Sequence, residues 1–217
     1  MTAMETLSKL FGGAGIVKML RLFLFNPQES YDAKDIAERT KTPADLVRNE
    51  VKMLEQIGFV KRKSFYKDSA PKTVRRRQKQ TLAEVKPKKK RVSGWVLSPD
   101  FPYLTELQAL LIGTAPLEAE DVVRRLRKVG SVKLIVVAGV FMHHWDGRLD
   151  LLIVGDNLNN RQLSNIIKDV EAELGREMRY AVFGTQDFRY RLGIYDRLVR
   201  DVLDYPHRAM VDRLGIL

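Results

Sequence analysis

The sequence predicts a mixed chain, an α+β unit followed by an α/β unit. Two observations carry that expectation. Apolar residues recur at helical spacing up to residue 57, then give way to an alternating run with a later short partner. From residue 131 onward, strand-like apolar runs alternate with amphipathic helical patterns, as in α/β layers. At 217 residues the chain has room for two ordinary domains. The boundaries expected are 1–102 for the first unit, 103–130 for a helical connector and 131–217 for the second.

The first unit reads as three short helices. From Ala14 to Phe25, Ile16, Leu20, Phe23 and Leu24 form an i, i+4, i+7, i+8 stripe, and Asn26-Pro27 stops it. A second helix starts at Asp32, whose carboxylate can accept from the amide of Asp35, and runs to about Thr40. A third runs to Ile57 and stops at Gly58. Thr42 is its expected N-cap, Pro43 suits the first helical position, and Asp45 opposes the positive end of the dipole. Val47, Val51 and Leu54 share one face, leaving Arg48, Asn49, Lys52 and Glu55 on the others. Phe59 to Phe65 then alternates enough for a strand, with Gly94 to Leu97 as its returning partner. Two helices joined by a short turn and followed by a two-stranded ribbon are the layout of a winged helix-turn-helix.

In the connector, Leu104, Leu107, Leu111 and Ile112 mark a connecting helix, and Leu117 to Leu126 another; the second unit follows. Val132 to Val140 is a strand apolar on both faces, as in the middle of a covered sheet. Leu149 to Val154 is a second strand. Leu163, Ile166, Ile167, Val170 and Leu174 define a helix, Met178 to Phe183 a third strand, and Tyr195, Leu198, Val199, Val202 and Leu203 a closing helix. Gly155-Asp156 reads as a turn.

Charge narrows the function. The chain carries 38 Lys and Arg against 27 Asp and Glu, and residues 1–102 hold all of the excess. Lys67 to Val92 alone has 11 basic residues against Asp68 and Glu84. Charge this concentrated suits a polyanion, with nucleic acid the leading candidate and a solvated linker the plain alternative. In the ribbon layout these 26 residues form the wing's tip, a basic loop far longer than an ordinary hairpin turn. With no cysteine, thiol catalysis, Cys-ligated zinc and iron–sulfur clusters are excluded. No apolar run reaches the roughly 18 residues of a membrane span. The start of the chain lacks a basic-then-apolar leader, so a soluble, cytoplasmic protein without a membrane partner is expected.

Leu10-Phe11-Gly12-Gly13, Val17 to Phe23, Val47-Arg48-Asn49-Glu50 and Leu54-Glu55-Gln56-Ile57-Gly58-Phe59-Val60 together resemble the winged-helix transcriptional regulators over residues 10 to 65. The resemblance implies that the third helix enters the major groove of duplex DNA while the wing touches the adjoining backbone. The contact residues it points to are Thr42, Arg48, Asn49 and Lys52 on the helix. On the wing they are Arg75, Arg76, Arg77, Lys79, Lys86, Lys88, Lys89, Lys90 and Arg91. Wing clusters of this kind neutralise phosphates without choosing a sequence.

Residues 131 to 183 resemble the polymerase-beta type of nucleotidyltransferases, with the active-site pattern altered. That superfamily ends its first strand in Gly-Ser and opens its second with an acid-x-acid pair, whose carboxylates share a face and hold divalent ions. Here the first strand ends Gly139-Val140, and the pair reads Arg148-Leu149-Asp150. The later strand offers only Glu177 at its edge in place of a third acid. A guanidinium beside such a site repels metal. The resemblance thus implies a degenerate nucleotidyltransferase-like domain with no catalytic residues, no metal and no cofactor. The combination resembles a group of prokaryotic regulators.

Other residues admit sharp and plain readings. His143-His144 with Asp146, Asp150 and Asp156 could bind a metal, although adjacent loop histidines more often serve as solvated turn residues. Asp150 is expected to brace the neighbouring strand, and Trp95 to pack on the helices rather than stack on a base. The expectation is a non-enzymatic, sequence-specific regulator of transcription that binds double-stranded DNA. Its second unit is left to meet another copy, another protein or a small ligand. A nucleotidyltransferase acting on nucleic acid or protein is the alternative.

Overall fold

The computed structural model describes residues 3–68, 89–113, 118–145 and 147–217. A helix that was not expected, α1 (Ala3–Leu10), precedes the others and is seated by Leu7. In α2 (Ala14–Phe25) the expected stripe is buried, but so are Val17, Met19 and Leu22. A helix buried nearly all round needs neighbours on both sides. α2 has them, packing on the helices of its own half and on α7 (Asn160–Leu174) of the other.

α3 (Ala33–Thr40) begins as expected. Asp32 Oδ1 accepts from the Asp35 amide at 2.8 Å, and Asp35 accepts in return from the Asp32 amide. Residues Lys41 to Pro43 turn the chain into α4 (Ala44–Gln56), with Lys41 in the left-handed region at φ 50°. The strands β1 (Val60–Asp68) and β2 (Lys89–Leu97) pair antiparallel from Val60–Leu97 to Asp68–Lys89. The ladder therefore extends beyond the expected strands, because pairs such as Phe65–Val92 and Tyr66–Arg91 continue the register. Lys67 and residues 89–92 belong to the ribbon rather than to its tip. Tyr31 adds a third chain to it, exchanging two 2.9 Å backbone bonds with Trp95. Gly94 permits that approach, since a Cβ there would strike the Tyr31 carbonyl.

α5 (Leu104–Gln108) continues into a π-helical turn, Ala109–Gly113, that sinks Leu111 into the first core. α6 (Ala119–Leu126) leads to β3 (Ser131–Val137), which lies inside a sheet of order β5-β4-β3-β6. Its partners are β4 (Leu151–Asp156), β5 (Tyr180–Phe183) and β6 (Arg208–Asp212). Among the described residues β4 pairs in parallel with β5, while β3 pairs antiparallel with both β4 and β6. β3 is apolar on both faces, as expected. Ile135 meets the core that includes Leu126, Leu163 and Val170 of α6 and α7. Leu134 and Val136 meet Phe188 of α8 (Thr185–Gly193) and Val202 of α9 (Arg197–Leu203).

Two expectations are corrected here. Gly155 and Asp156 end β4 instead of turning; a Cβ on Gly155 would stand 2.6 Å from the Ser131 carbonyl, and the turn comes at Asn157, φ 53°. Tyr195 precedes the closing helix, at φ 56°. α8 and β6 were not anticipated. Among the described residues no helix is long and apolar enough to cross a membrane.

The halves are joined by polar groups as well as apolar ones. Arg21 is 1% exposed; its Nε donates to the Leu111 carbonyl at 3.1 Å and its Nη1 to the Glu173 carbonyl at 2.9 Å. Burial drives its pKa down to about 10 against the opposing pull of Glu173. Asn26 Nδ2 donates to the Gly175 carbonyl at 2.9 Å. Gly175 ends α7 at φ 89°, where a Cβ would stand 2.6 Å from the Arg21 backbone.

Candidate nucleic-acid interface

α4 seats itself by Val47, Val51 and Leu54 and leaves Arg48, Asn49 and Lys52 exposed, as the helical spacing requires. Arg48 Nη1 donates to Asp45 Oδ1 at 2.9 Å, with side chains 68% and 94% exposed. A solvated i, i+3 pair is worth only about 0.2–0.5 kcal/mol, so a phosphate or base edge can replace it cheaply. Thr42 is a correction. It is buried, its Oγ1 donates to the Thr40 carbonyl at 3.4 Å, and Pro43 takes the N-cap position without a side-chain cap. Thr42 seats the turn and offers no contact surface.

Arg48, Lys52 and Glu55 stand at i, i+4 and i+7, so the exposed row on α4 ends at Glu55. Glu55 joins the helix to the ribbon. It accepts from Trp95 Nε1 at 2.9 Å and from Arg62 Nε at 2.9 Å. The indole bond holds its carboxyl below the usual range, against some burial, with Arg62 adding to the effect. Trp95 packs on the first core, as expected, and Arg62 lies 5.6 Å above its ring.

Directly paired strand residues share a face, and faces alternate along the strand. Arg62, Ser64 and Tyr66 with their partners Trp95, Ser93 and Arg91 therefore form the ribbon face that meets Glu55. Tyr66 is 70% exposed on it. Neither Tyr66 nor Arg62 was singled out from the sequence; Arg62 lies within the expected strand and Tyr66 one residue past Phe65, where that strand was expected to end. Lys61, Lys63, Lys67 and Lys90 occupy the opposite face. Lys67 is committed there, donating to Asp32 Oδ2 at 3.1 Å and to Asp35. Burial works against its charge, but Asp35 and Asp32 more than compensate and raise its pKa. Lys89, Lys90 and Arg91 are exposed on β2. Arg75, Arg76, Arg77, Lys79, Lys86 and Lys88 lie outside the described residues.

The second half shows what Asp150 does. It is 0% exposed; Oδ1 accepts from the Val140 amide and Oδ2 from the Arg179 amide, both at 2.9 Å. It thus braces the end of β3 against the approach to β5, as expected. Arg148 turns away to Asp201 at 3.0 Å. Asp156 is held by the Thr185 hydroxyl at 2.7 Å and the Thr185 amide at 3.0 Å, which lower its pKa. His143 and His144 are exposed, and Asp146 lies outside the described residues. Among the described residues no three His, Asp or Glu side chains gather as a metal site.

Comparison with protein-family models, with curated proteins and with solved structures finds no match to this chain.

Proposed function

We propose that the chain is a sequence-specific regulator that binds double-stranded DNA through a winged helix-turn-helix. The observation that carries this reading is the continuity of one exposed row. Arg48, Asn49 and Lys52 on α4 lead through Glu55 to Arg62, Tyr66 and Arg91 on the ribbon. The order α2, Tyr31 bridge, α3, three-residue turn, α4 and hairpin supports it, because the bridge supplies the third chain of the small sheet. In this mode α4 lies in the major groove with Arg48 and Asn49 at base edges. The cations of the ribbon and of residues 69–88 neutralise phosphates.

The α/β half then serves as a body that holds α2 and α3 in place rather than as an enzyme. What supports this is Asp150, the carboxylate that remains of the altered pair, which is closed to solvent with each oxygen accepting from a backbone amide, whereas a metal clamp for nucleotidyl transfer needs several accessible carboxylates. Repeated selection of bound duplexes from a random pool at physiological salt tests the proposal. A recurring sequence is expected, and a pool that stays random after several rounds would overturn base reading.

A further inference from the structure

α4 carries an acid where both the helix and a nucleic-acid ligand disfavour one. Glu55 sits in the last turn of α4, at the negative end of the helix dipole, where a cation would be stabilising. It also closes the row begun by Arg48 and Lys52, where a carboxylate repels a polyanion. Neither helix stability nor charge attraction accounts for this residue. Its contacts do.

Those contacts converge on one guanidinium. Arg62 Nε donates to Glu55 Oε1 at 2.9 Å and to Oε2 at 3.2 Å, and the guanidinium lies 5.6 Å from the centre of the Trp95 ring. Trp95 is the direct strand partner of Arg62, and its Nε1 donates to Glu55 Oε2 at 2.9 Å. Carboxylate, indole and guanidinium therefore fix one another, across the join between α4 and the ribbon. The Arg62 side chain is still 65% exposed. Its Nη1 and Nη2 have no hydrogen-bond partner among the described residues, so that end of the fork remains for a ligand.

Two terminal guanidinium nitrogens match two oxygens of one phosphate. An unrestrained arginine loses side-chain freedom when it makes that contact, whereas Arg62 is already held by its Nε and by the ring beneath it. The acid costs attraction but orients the cation. On the DNA-binding reading, on which this depends and which it deepens, we infer that Glu55 is a positioning residue. It presents Arg62 to a backbone phosphate and sets that contact in register with α4. An acidic side chain is thus required for binding an acidic ligand.

The sign of the effect makes this testable. Counting charge alone, loss of a carboxylate from the interface should tighten binding to any duplex. Glu55→Gln keeps an acceptor for the indole but turns an amide N–H towards Arg62 Nε, donor against donor. Positioning therefore predicts weaker binding. The experiment is fluorescence anisotropy of the full chain on a labelled duplex over a series of salt concentrations, with wild type, Glu55→Gln, Arg62→Ala and the double variant. Glu55→Gln should weaken binding about tenfold, as for one charge-assisted hydrogen bond lost. It should also flatten the slope of log affinity against log salt by about 0.9, one phosphate's worth. Arg62→Ala should do the same, and adding Glu55→Gln to it should weaken binding no further. A wild type that binds no duplex would remove the DNA-binding reading and this inference with it. Wild-type binding that Glu55→Gln leaves unchanged or tightens would overturn the inference alone, as would equal weakening with and without Arg62.

Discussion

At the scale of single residues, function and fold separate clearly. Arg48 and Asn49 are exposed, and among the described residues Arg48 pairs with the solvated carboxylate of Asp45. Alanine at both positions should leave stability near wild type but erode the preference for a selected site over random duplex. Removing the hydrogen bonds to one base edge should take away about 1–3 kcal/mol of discrimination. Competition binding against the two duplexes measures it, and equal weakening on both would mean that α4 only positions the protein. Asp150 is the opposite case. Asp150→Ala would orphan the Val140 and Arg179 amides and leave Arg176 and Arg179 beside a cavity, at a cost of about 3 kcal/mol or more. Urea unfolding should show a clearly lowered midpoint, while a midpoint near wild type would refute the bracing role. The bracing role was legible as the plain alternative to a metal cluster, since a lone carboxylate beside a strand end commonly accepts from backbone amides. The burial of Thr42 was not, because a threonine before proline reads equally as a cap or as a packed turn residue.

At the scale of elements, local grammar carried most of the outline. The Asp32–Asp35 box and the α4 stripe depend on spacings within a few residues, which a sequence displays directly. α1, α8 and β6 escaped because short elements owe their existence to what they pack against. The ribbon's length escaped too, since charged residues on solvent-facing positions hide the alternation of a strand. Its far end is fastened by Lys67 to Asp32 and Asp35, and the pH dependence of that latch follows. For Asp32, burial raises the pKa but the Asp35 amide and Lys67 outweigh it, so the folded value lies below the unfolded one. Its contribution is present above the unfolded value of about 3.9 and is lost as pH falls through the folded value. Lys67 runs the other way; its contribution is complete below about 10.4 and is lost as pH rises through its raised folded value. The latch therefore holds across the neutral range. Its worth is modest, about 1 kcal/mol or less, because Lys67 is 37% exposed. Lys67→Met should speed amide hydrogen exchange at the open end of β1 and β2 near neutral pH while exchange in β3 stays unchanged. Equal protection in both proteins would show that the latch fastens nothing.

At the scale of the whole molecule, charge and architecture divide the labour. The net positive charge resides in residues 1–102, while residues 103–217 carry 16 basic and 16 acidic side chains. That division was plain in the sequence. How the halves join was not, since the hydrogen bonds of Arg21 and Asn26 reach carbonyls about 90 to 150 residues away, and a lone arginine in an apolar helix gives no hint of its acceptors. The join matters for function because α2 and α3 both rest on α7, so the exposed row of α4 is presented from a broad base. On the proposed function this row reads duplex DNA while the basic ribbon and residues 69–88 grip phosphates. Fluorescence anisotropy on a labelled duplex over a series of salt concentrations tests it most directly, comparing the full chain with one in which a short turn replaces residues 69–88. That segment holds seven basic residues. Every phosphate no longer neutralised should flatten the slope of log affinity against log salt by about 0.9, so five of them should flatten it by roughly 4 to 5. Such flattening, with weaker binding to every duplex, is the result expected; an unchanged salt slope would contradict the account.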